Sequence, residues 1–505
     1  MILIGAAALW FRISGLTDNP FWLDEAYSAY AADKGFGFIF KVLPSYETHP
    51  PFYSALLSAW TMIAGNSLLG FRTLSFVISV AMLPLFWLAG KESGRAVGLN
   101  PQHSAFTALA LTAMLPPIIY ITQLVRPYAA MAFVYLLGIW AVFRLARSLK
   151  EDGTPMRAAW LTYFACLALL VWLHNLGALY AAALGLAMLI MVGPLKLWRD
   201  HRAMFLIGHA VVASVVLPAF LILLDQAPTW KQSTWLRFHW DGIDQSLSDI
   251  YGIAGFGAFV CVCAIIGVAI IKARRKAAPV WIALATLAFL PAILSLILTL
   301  TIAPVFLART LVPASVAFAL LVATSAAVPM LISRAAFAAL IVLTTMQMVA
   351  LQSLGPTQNW YGAVAWLQAR VKAGDVIYAY PNEGALPLSY ALRDKGQAYP
   401  IRAIPQPVPA NDPTGWHPTG NRGVVSLPQY RLDAIAGDAQ SKSVKTIWLI
   451  RLGAKTYDRD DGFLKALLKT RQQVGRWHQE PIDIIGLRQT PETSPQVAPP
   501  KQAQP

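Results

Sequence analysis

Hydrophobic residues occur along this chain in long, nearly uninterrupted runs, and polar residues are concentrated in the segments between them. Two of the runs read AVVASVVLPAFLILL (210–224) and VWIALATLAFLPAILSLILTLTIA (280–303). A run of about 20 apolar residues matches the thickness of a bilayer's hydrocarbon core, whereas a membrane barrel would show alternating segments of about ten residues. The pattern predicts a polytopic α-helical membrane protein with about eleven spanning helices. They start near residues 1, 68, 103, 127, 158, 176, 203, 250, 279, 310 and 335.

The pattern changes after the last apolar run. The stretch NWYGAVAWLQARVKAGDVIYAYPNEGALPLSYALRD (359–394) predicts an amphipathic helix, a turn, a strand and a second helix, and VKTIWLI and DIIGLRQT predict two more strands. A segment rich in Pro, Gly and Asn (399–423) predicts a long loop, and the composition of 491–505 predicts a disordered tail. We therefore expect a membrane domain over 1–354 and a small α/β domain over 355–490.

The distribution of charge predicts the orientation in the membrane. The chain has 505 residues, of which 57% are hydrophobic and only 13% charged, yet its net charge is +15. One set of alternate loops carries Lys91, Arg95, Arg144, Arg147, Lys150, Arg157, Lys196, Arg199, Arg202, Lys272, Arg274, Arg275, Lys276 and Arg334. The other set carries Lys34, Lys41, Arg126, Lys231, Arg237 and Arg309. The positive-inside rule places the first set, and the N-terminus, in the cytoplasm. The α/β domain is then extracytoplasmic, at the plasma membrane, and the basic excess requires no nucleic-acid partner.

The first apolar run is short for a span and contains Arg12. It lacks the basic start and the small-residue cleavage site of a signal peptide, and a truncated start is one explanation of its length. A long basic side chain near a helix end extends its charged group towards the membrane surface. We therefore expect Arg12 to reach the outer interface.

Several polar residues lie at the predicted outer ends of the helices. They are Asp24, Glu25, His49, Arg126, Tyr128, His174, Asn175 and Arg309. Ionisable groups at membrane depth are costly without a partner, so they are candidates for function. Arg126 and Arg309 stand between apolar segments, where a guanidinium pairs with a protein carboxylate or with a lipid phosphate. The predicted outer loop 17–66 also contains HPPFYSALLSAW, which predicts a helix lying along the membrane surface.

Each candidate also has a structural interpretation. Asp24 and Glu25 are placed to stabilise a helix N-terminus, and the two arginines to neutralise buried carboxylates. Tyr128 is equally an interface aromatic, and His49 equally a turn residue. Polar residues are expected where His174 and Asn175 lie, at a helix end on the outer face, so the sequence assigns them no function.

Taken together, FWLDEAYSA, HPPFYSALLSAW, RPYAAMAF and LARTLVPA resemble the bacterial protein-mannosyltransferase-like membrane glycosyltransferases. This family has the GT-C fold and includes aminoarabinose transferases of lipid A and protein O-mannosyltransferases. The resemblance implies a polyprenyl-phosphate sugar as donor and a lipid, glycan or protein acceptor. It also implies hexosyl or pentosyl transfer on the outer face, with inversion at the anomeric carbon. Carried onto this chain, Asp24 and Glu25 are the expected catalytic carboxylates, with Asp24 as the base, and Arg309, Arg126 and His49 are expected to bind the donor phosphate.

The chain departs from the aminoarabinose transferases at three places. Thr310 follows Arg309 where the family has tyrosine, and His49 stands before Pro-Pro where those relatives have lysine. They also carry an aspartate after the second outer loop, where this chain has AAMAF. These differences argue against aminoarabinose and lipid A as the substrates, and they leave the general chemistry intact.

Other functions remain open from the sequence. A flippase for lipid-linked glycans also needs many helices and phosphate-binding arginines, but its polar groups are expected near the midplane. A polysaccharide polymerase or ligase would use a large outer loop, for which Arg237 and His239 are weak candidates. A membrane scaffold that displays the α/β domain would not need Asp24. Some related enzymes use a divalent cation, for which Asp24, Glu25, Glu47 and His49 supply suitable atoms, but no spacing defines a metal site.

Overall fold

The computed structural model describes residues 2–490 except 48, 152–156, 234, 235, 237, 273–276, 353, 354, 410–426, 455–457 and 459. The described residues form two compact units. The first, called here the helical unit, comprises residues up to 19 and residues 24–356. The second, the α/β unit, comprises residues 20–23 and the described residues from 357 onward.

The helical unit is built from helices joined by short connections. They are α1 (Ile2–Ile13), α2 (Leu23–Asp33), α3 (Gly35–Lys41), α4 (Phe52–Ala64), α5 (Leu68–Ala96), α6 (Pro101–Met114), α7 (Pro116–Thr122), α8 (Tyr128–Glu151), α9 (Arg157–Leu173), α10 (Gly177–Val192), α11 (Pro194–Ser233), α12 (Ile243–Tyr251), α13 (Phe256–Lys272), α14 (Ala278–Thr301), α15 (Ala308–Leu311), α16 (Ala314–Ala326) and α17 (Leu331–Gln352). Single 3₁₀ turns lie at Leu43–Ser45 and Trp240–Gly242.

Each predicted apolar run contains helix, which confirms a multi-pass helical membrane protein. Among the described residues, five helices are long and apolar enough to cross a bilayer, namely α5, α8, α11, α14 and α17. The number is seven if each of two bent pairs is one span: α6 with α7 at 61°, and the Trp240–Tyr251 segment with α13 at 54°. The other predicted spans correspond to shorter apolar helices, α1, α9, α10 and α16. The number eleven therefore stays a prediction.

The prediction that Arg12 reaches the membrane interface is wrong. Its side chain is fully buried. Nε donates to Ser79 Oγ on α5 at 2.9 Å, and the two terminal nitrogens donate to the carbonyls of Ala8, at 2.9 Å, and Thr112, at 3.2 Å. Because hydrogen bonds inside the unit satisfy the guanidinium, it does not need the interface.

Small residues let the helices of this unit approach closely. A methyl group at Gly90 on α5 would lie only 2.9 Å from Cα of Ala105 on α6. Any larger side chain would therefore push α6 away from α5, as expected where membrane helices pack through small residues. The described residues of α16, which packs on α5, α6 and α14, are all buried.

The α/β unit contains a five-stranded mixed sheet. Its elements are α18 (Trp360–Gln368), β1 (Val376–Ala379), α19 (Ala385–Asp394), β2 (Ile401–Ala403), α20 (Gln429–Ala436), α21 (Ala439–Ser443), β3 (Thr446–Leu452), α22 (Gly462–Leu468), β4 (Arg471–Gln479) and β5 (Ile482–Gln489). The strand order is β2-β1-β3-β5-β4. Strands β2, β1 and β3 are parallel, and β5 is antiparallel to both β3 and β4.

Apolar clusters cover both faces of this sheet. On one face Tyr378 and Leu449 pack with Phe463 of α22, and on the other Ile377 and Trp448 pack with α18 and α19. Strand β3 is buried along its whole length, which explains why its sequence is almost continuously apolar. The predicted helices α18 and α19 and strands β1, β3 and β5 are confirmed.

Two strands were not predicted from the sequence. Strand β2 has only three residues and lies inside the segment expected to be a long loop. Strand β4 forms one edge of the sheet and carries mostly exposed polar side chains, so it lacks an alternating apolar pattern. Residues 410–423 of the predicted loop and the predicted tail over 491–505 lie outside the described residues.

Candidate active site

Asp24 lies in the first turn of α2 and forms an ion pair with Arg309 of α15. Nη2 of Arg309 donates to Oδ2 of Asp24 at 2.9 Å. The first turn of a helix favours a carboxylate through the unsatisfied N–H groups, so the α2 N-terminus also stabilises the ionised side chain. The structure therefore brings together two residues that the sequence singled out separately.

Glu25, the next residue, has different partners. Its Oε2 accepts a hydrogen bond from Nη2 of Arg72 at 2.9 Å, and its Oε1 accepts one from the backbone N–H of Val125 at 2.9 Å. Arg72, on α5, also donates to the carbonyls of Leu16 and Asn19, each at 2.9 Å. Glu25 and Arg72 thus tie together the chain before α2, the first turn of α2, helix α5 and the segment that precedes α8.

The two adjacent carboxylates differ in their access to solvent. The side chains of Glu25 and Arg72 are 1% and 4% exposed, whereas those of Asp24 and Arg309 are 12% and 23% exposed. A buried pair with several hydrogen bonds is suited to holding segments in place. A pair that keeps part of its surface exposed can be reached by a ligand. Of the two neighbours, Asp24 is the one with access.

Arg126 contacts the backbone of Asp24. Its Nη1 donates to the Asp24 carbonyl oxygen and to Ser28 Oγ, each at 3.2 Å. The guanidinium also faces the Tyr128 ring, 5.9 Å from the ring centroid. Since Glu25 holds the amide of Val125, the residue before Arg126, the clamp that fixes α2 also fixes this arginine.

The rings of His49 and His174 are in contact, and His49 lies near Arg126. The centroids of their rings are 4.1 Å apart and the rings are tilted by 34°, with the Tyr128 ring 6.2 Å from that of His174. The backbone N–H of His49 donates to Oε1 of Glu47 at 3.3 Å. His49 and Glu47 line a narrow cavity of about 30 Å³ together with Tyr27, Ser28, Ala31, Leu43, Pro50, Tyr53, Ser54, Arg126, Pro127 and Leu173.

All six residues predicted for the site lie in this region of the helical unit. Two further residues belong to it that the sequence did not single out for function. Arg72 carries the signal that selected Arg309, an arginine among apolar residues, but it lies just inside a predicted span. His174 was assigned no function because polar residues are expected at a helix end. Arg237, a candidate for another class of enzyme, lies outside the described residues.

The four residues considered for a divalent cation do not form a metal site. Across the described residues, no group of three or more His, Cys, Asp and Glu side chains is placed to hold a metal ion. Both oxygens of Glu25 already accept hydrogen bonds, from Arg72 and from Val125. The geometry therefore gives no support for a cation held by Asp24, Glu25, Glu47 and His49.

Solved structures with a similar architecture include two of ArnT from Cupriavidus metallidurans. The apo form matches with a TM-score of 0.60 and 13% identity, over 96% of this chain and 97% of that chain. The form bound to undecaprenyl phosphate matches with a TM-score of 0.58 and 12% identity over the same shares. An oligosaccharyltransferase from Archaeoglobus fulgidus, tethered to an acceptor peptide, gives a TM-score of 0.48 and 13% identity, over 97% of this chain and 73% of that chain.

Comparison with models of protein families gives no match, and neither does comparison with curated protein sequences. The likeness to the ArnT structures covers nearly the whole of both chains, and at this level of identity it concerns the fold alone. The GT-C architecture implied by the motifs is therefore confirmed: this chain has the fold of ArnT.

Proposed function

We propose that this chain is an integral membrane glycosyltransferase that moves a sugar from a polyprenyl-phosphate donor to an acceptor hydroxyl. The observation that supports this proposal most directly is the Asp24–Arg309 pair, partly open to solvent beside a buried Glu25–Arg72 pair. A carboxylate within 2.9 Å of a guanidinium supplies a base for a hydroxyl and a cation for a phosphate in one place.

In the proposed reaction, the acceptor oxygen attacks the anomeric carbon from the face opposite the phosphate. The new C–O bond forms as the bond between that carbon and the phosphate oxygen breaks, so the configuration inverts. The acceptor proton passes to Asp24, and the electron pair of the broken bond leaves with the polyprenyl phosphate. Phosphate is a good leaving group, so the reaction needs positive charge at the departing oxygen more than a strong acid.

Arg309, Arg126 and His49 are the groups proposed to hold that phosphate. Arg309 contacts Asp24 directly. In the reaction its guanidinium would contact the phosphate, whether it keeps or releases Asp24. Arg126 is fixed on the other side of Asp24 through the Asp24 carbonyl. A lipid phosphate fits this set because one ArnT structure of the same fold is bound to undecaprenyl phosphate.

In this proposal Glu25 positions the reacting groups. Its bonds to Arg72 and Val125 orient the α2 N-terminus, which carries Asp24, relative to the segment that carries Arg126. Catalysis of this kind depends on holding groups within a fraction of an ångström of the productive geometry. Tyr128 is proposed to support Arg126 through its ring.

The finer points extend the same proposal. The site is placed on the extracytoplasmic face of the plasma membrane, with the N-terminus in the cytoplasm and the α/β domain outside, because the loops on the other side carry most of the basic residues. The transferred group is a hexosyl or pentosyl unit, and the acceptor is a lipid, a glycan or a protein.

One observation favours a second candidate, transport of a lipid-linked glycan. The α6–α7 pair and the segment leading into α13 are bent by 61° and 54°, and broken helices are common in transporters. Transport would not require a base at Asp24. The two functions therefore differ in how they respond to a change at that one residue.

Lipid mass spectrometry on cells with and without this protein tests the proposal. We expect cells without it to accumulate one polyprenyl-phosphate sugar, while one envelope molecule lacks the corresponding sugar. An unchanged set of envelope glycans and glycoproteins, with no accumulated lipid, would contradict glycosyl transfer.

A further inference from the structure

His174 is almost completely buried, with 2% of its surface exposed, yet it contacts a residue that lines the cavity. It lies in the turn between α9 and α10, and the ring of His49 packs against it at 4.1 Å. Of the two imidazoles only that of His49 lines the cavity beside Glu47 and Arg126. The buried ring therefore acts on any ligand through His49.

The backbone fixes the protonation state of His174. Its Nδ1 lies 3.1 Å from the backbone nitrogen of Leu176, which can only donate. Nδ1 must then supply the lone pair, so the proton of the neutral ring is on Nε2. A second proton on His174 would break the bond to Leu176 and would place a buried cation among Arg126 and Arg309. Burial in the first place, and then His49 and Arg126, lower the pKa of His174 well below its usual range.

The charged and titratable groups around the pair come from several elements. Glu47 is in the same loop as His49, Tyr27 is on α2 and Tyr53 on α4. Arg126 lies just before α8, Tyr128 is its first residue, and Arg309 is on α15. Two imidazolium rings at 4.1 Å would repel each other strongly, so the pair takes up at most one proton near neutral pH. With His174 held neutral, that proton goes to His49.

We propose that His174 is a positioning residue that remains neutral, holds the His49 ring at the cavity and leaves His49 as the member of the pair that becomes a cation for phosphate. This inference rests on the proposed function, in which His49 contacts the donor phosphate. Its consequence is a specific one: part of the affinity for a phosphate lipid depends on pH through His49, and that part requires an aromatic ring at position 174.

The test uses purified full-length protein in lipid nanodiscs, with undecaprenyl phosphate as the probe, and measures its dissociation constant between pH 5.5 and 8.5. A phosphate monoester itself titrates near pH 6, so the readout is the ratio of the dissociation constant of His49→Phe to that of the wild type at each pH. We expect a ratio of about tenfold at pH 5.5, the size of one charge-assisted hydrogen bond, and near one at pH 8.5.

Two variants of His174 separate positioning from a general structural role. The low-pH advantage is the tighter binding of undecaprenyl phosphate at pH 5.5 relative to His49→Phe. His174→Ala removes the ring and is expected to lose most of this advantage, while its dissociation constant at pH 8.5 matches that of the wild type. His174→Phe keeps a flat ring without a proton and is expected to restore the advantage. A purely structural role would weaken binding at every pH, so the change in the shape of the profile is the discriminating result.

Three results with the variants would overturn the inference. They are a His49→Phe profile that parallels the wild type, a His174→Ala variant that keeps the full advantage, and a His174→Phe variant that behaves like His174→Ala. If either His174 variant fails to fold, the comparison of His49→Phe with the wild type still decides the role of His49. Wild type that does not bind undecaprenyl phosphate at any pH would overturn the donor proposal, and this inference with it. Tight binding by the wild type, together with a His49→Phe to wild-type ratio that does not change with pH, would overturn this inference alone.

Discussion

Oδ2 of Asp24 lies 2.9 Å from Nη2 of Arg309, although the two residues are 285 positions apart in the sequence. The contact joins the first turn of α2 to α15, within one compact unit. In the proposed function it places the base and a phosphate-binding cation at one point. Substitution of either partner is therefore expected to affect transfer more than stability.

Arg309→Gln removes the cation and keeps a hydrogen-bonding side chain of similar length. We expect the rate of sugar transfer to fall by about 100-fold, the effect of losing one preorganised donor to a developing charge. Arg309→Lys is expected to recover only part of the rate, because a lysine lacks the planar fork that matches phosphate.

The matched control for these variants is Arg334→Gln, since Arg334 is an exposed arginine on α17. Transfer is measured in membranes at equal protein abundance. Equal rates for Arg309→Gln and Arg334→Gln would remove Arg309 from the phosphate site.

Glu25→Gln is expected to act mainly on stability. It leaves the guanidinium of Arg72 buried at 4% exposure without its carboxylate, and breaking a buried pair in this way costs about 3–5 kcal/mol. We expect the melting temperature of the purified protein to fall clearly, while Asp18→Asn, at an exposed carboxylate in the same loop, leaves it unchanged.

A double variant shows whether the effect comes from the pair. Glu25→Gln with Arg72→Met removes the unpaired charge, and we expect it to regain part of the lost stability. If Glu25→Gln instead abolished transfer at an unchanged melting temperature, Glu25 would take part in the chemistry itself.

The lowered pKa of His174 predicts how stability depends on pH. A histidine whose pKa is lower in the folded than in the unfolded state contributes stability that is present above the unfolded value, about 6.5, and is lost as the pH falls below it. We expect the melting temperature of the wild type to decrease between pH 7.5 and pH 5.

His174→Phe cannot take up that proton, so its melting temperature should decrease less over the same range. His239→Phe, at an exposed histidine, serves as the control and should follow the wild type. Identical pH profiles of the melting temperature for all three proteins would show that protonation of His174 does not affect stability.

Much of this site could be predicted from the sequence because charge is rare in the apolar part of the chain. Asp24, Arg126 and Arg309 stand out there, and the physical cost of isolated charges explains why they meet. The pairing itself could not be predicted. Which of the two adjacent carboxylates contacts Arg309 and which contacts Arg72 depends on where α5 and α15 lie around the first turn of α2. These helices are far apart in the sequence, so no local pattern predicts the pairing.

The errors have equally specific causes. Arg12 was expected at the interface because its partners, Ser79 and the Thr112 carbonyl, come from helices far along the chain. Strand β4 was missed because an edge strand needs no alternating apolar residues, and its pairing with β5 comes from backbone hydrogen bonds. In each case long-range contacts outweighed the local pattern.

The most direct test of the central claim is Asp24→Asn in cells that lack the native protein, with the accumulated polyprenyl-phosphate sugar measured by mass spectrometry. Asparagine keeps the shape of the side chain and cannot accept the acceptor proton. At equal membrane abundance, we expect wild type and Asp18→Asn to clear the accumulated lipid and Asp24→Asn to leave it. Clearance by Asp24→Asn at the wild-type rate would contradict a catalytic base at Asp24 and would make transport the better explanation of the fold.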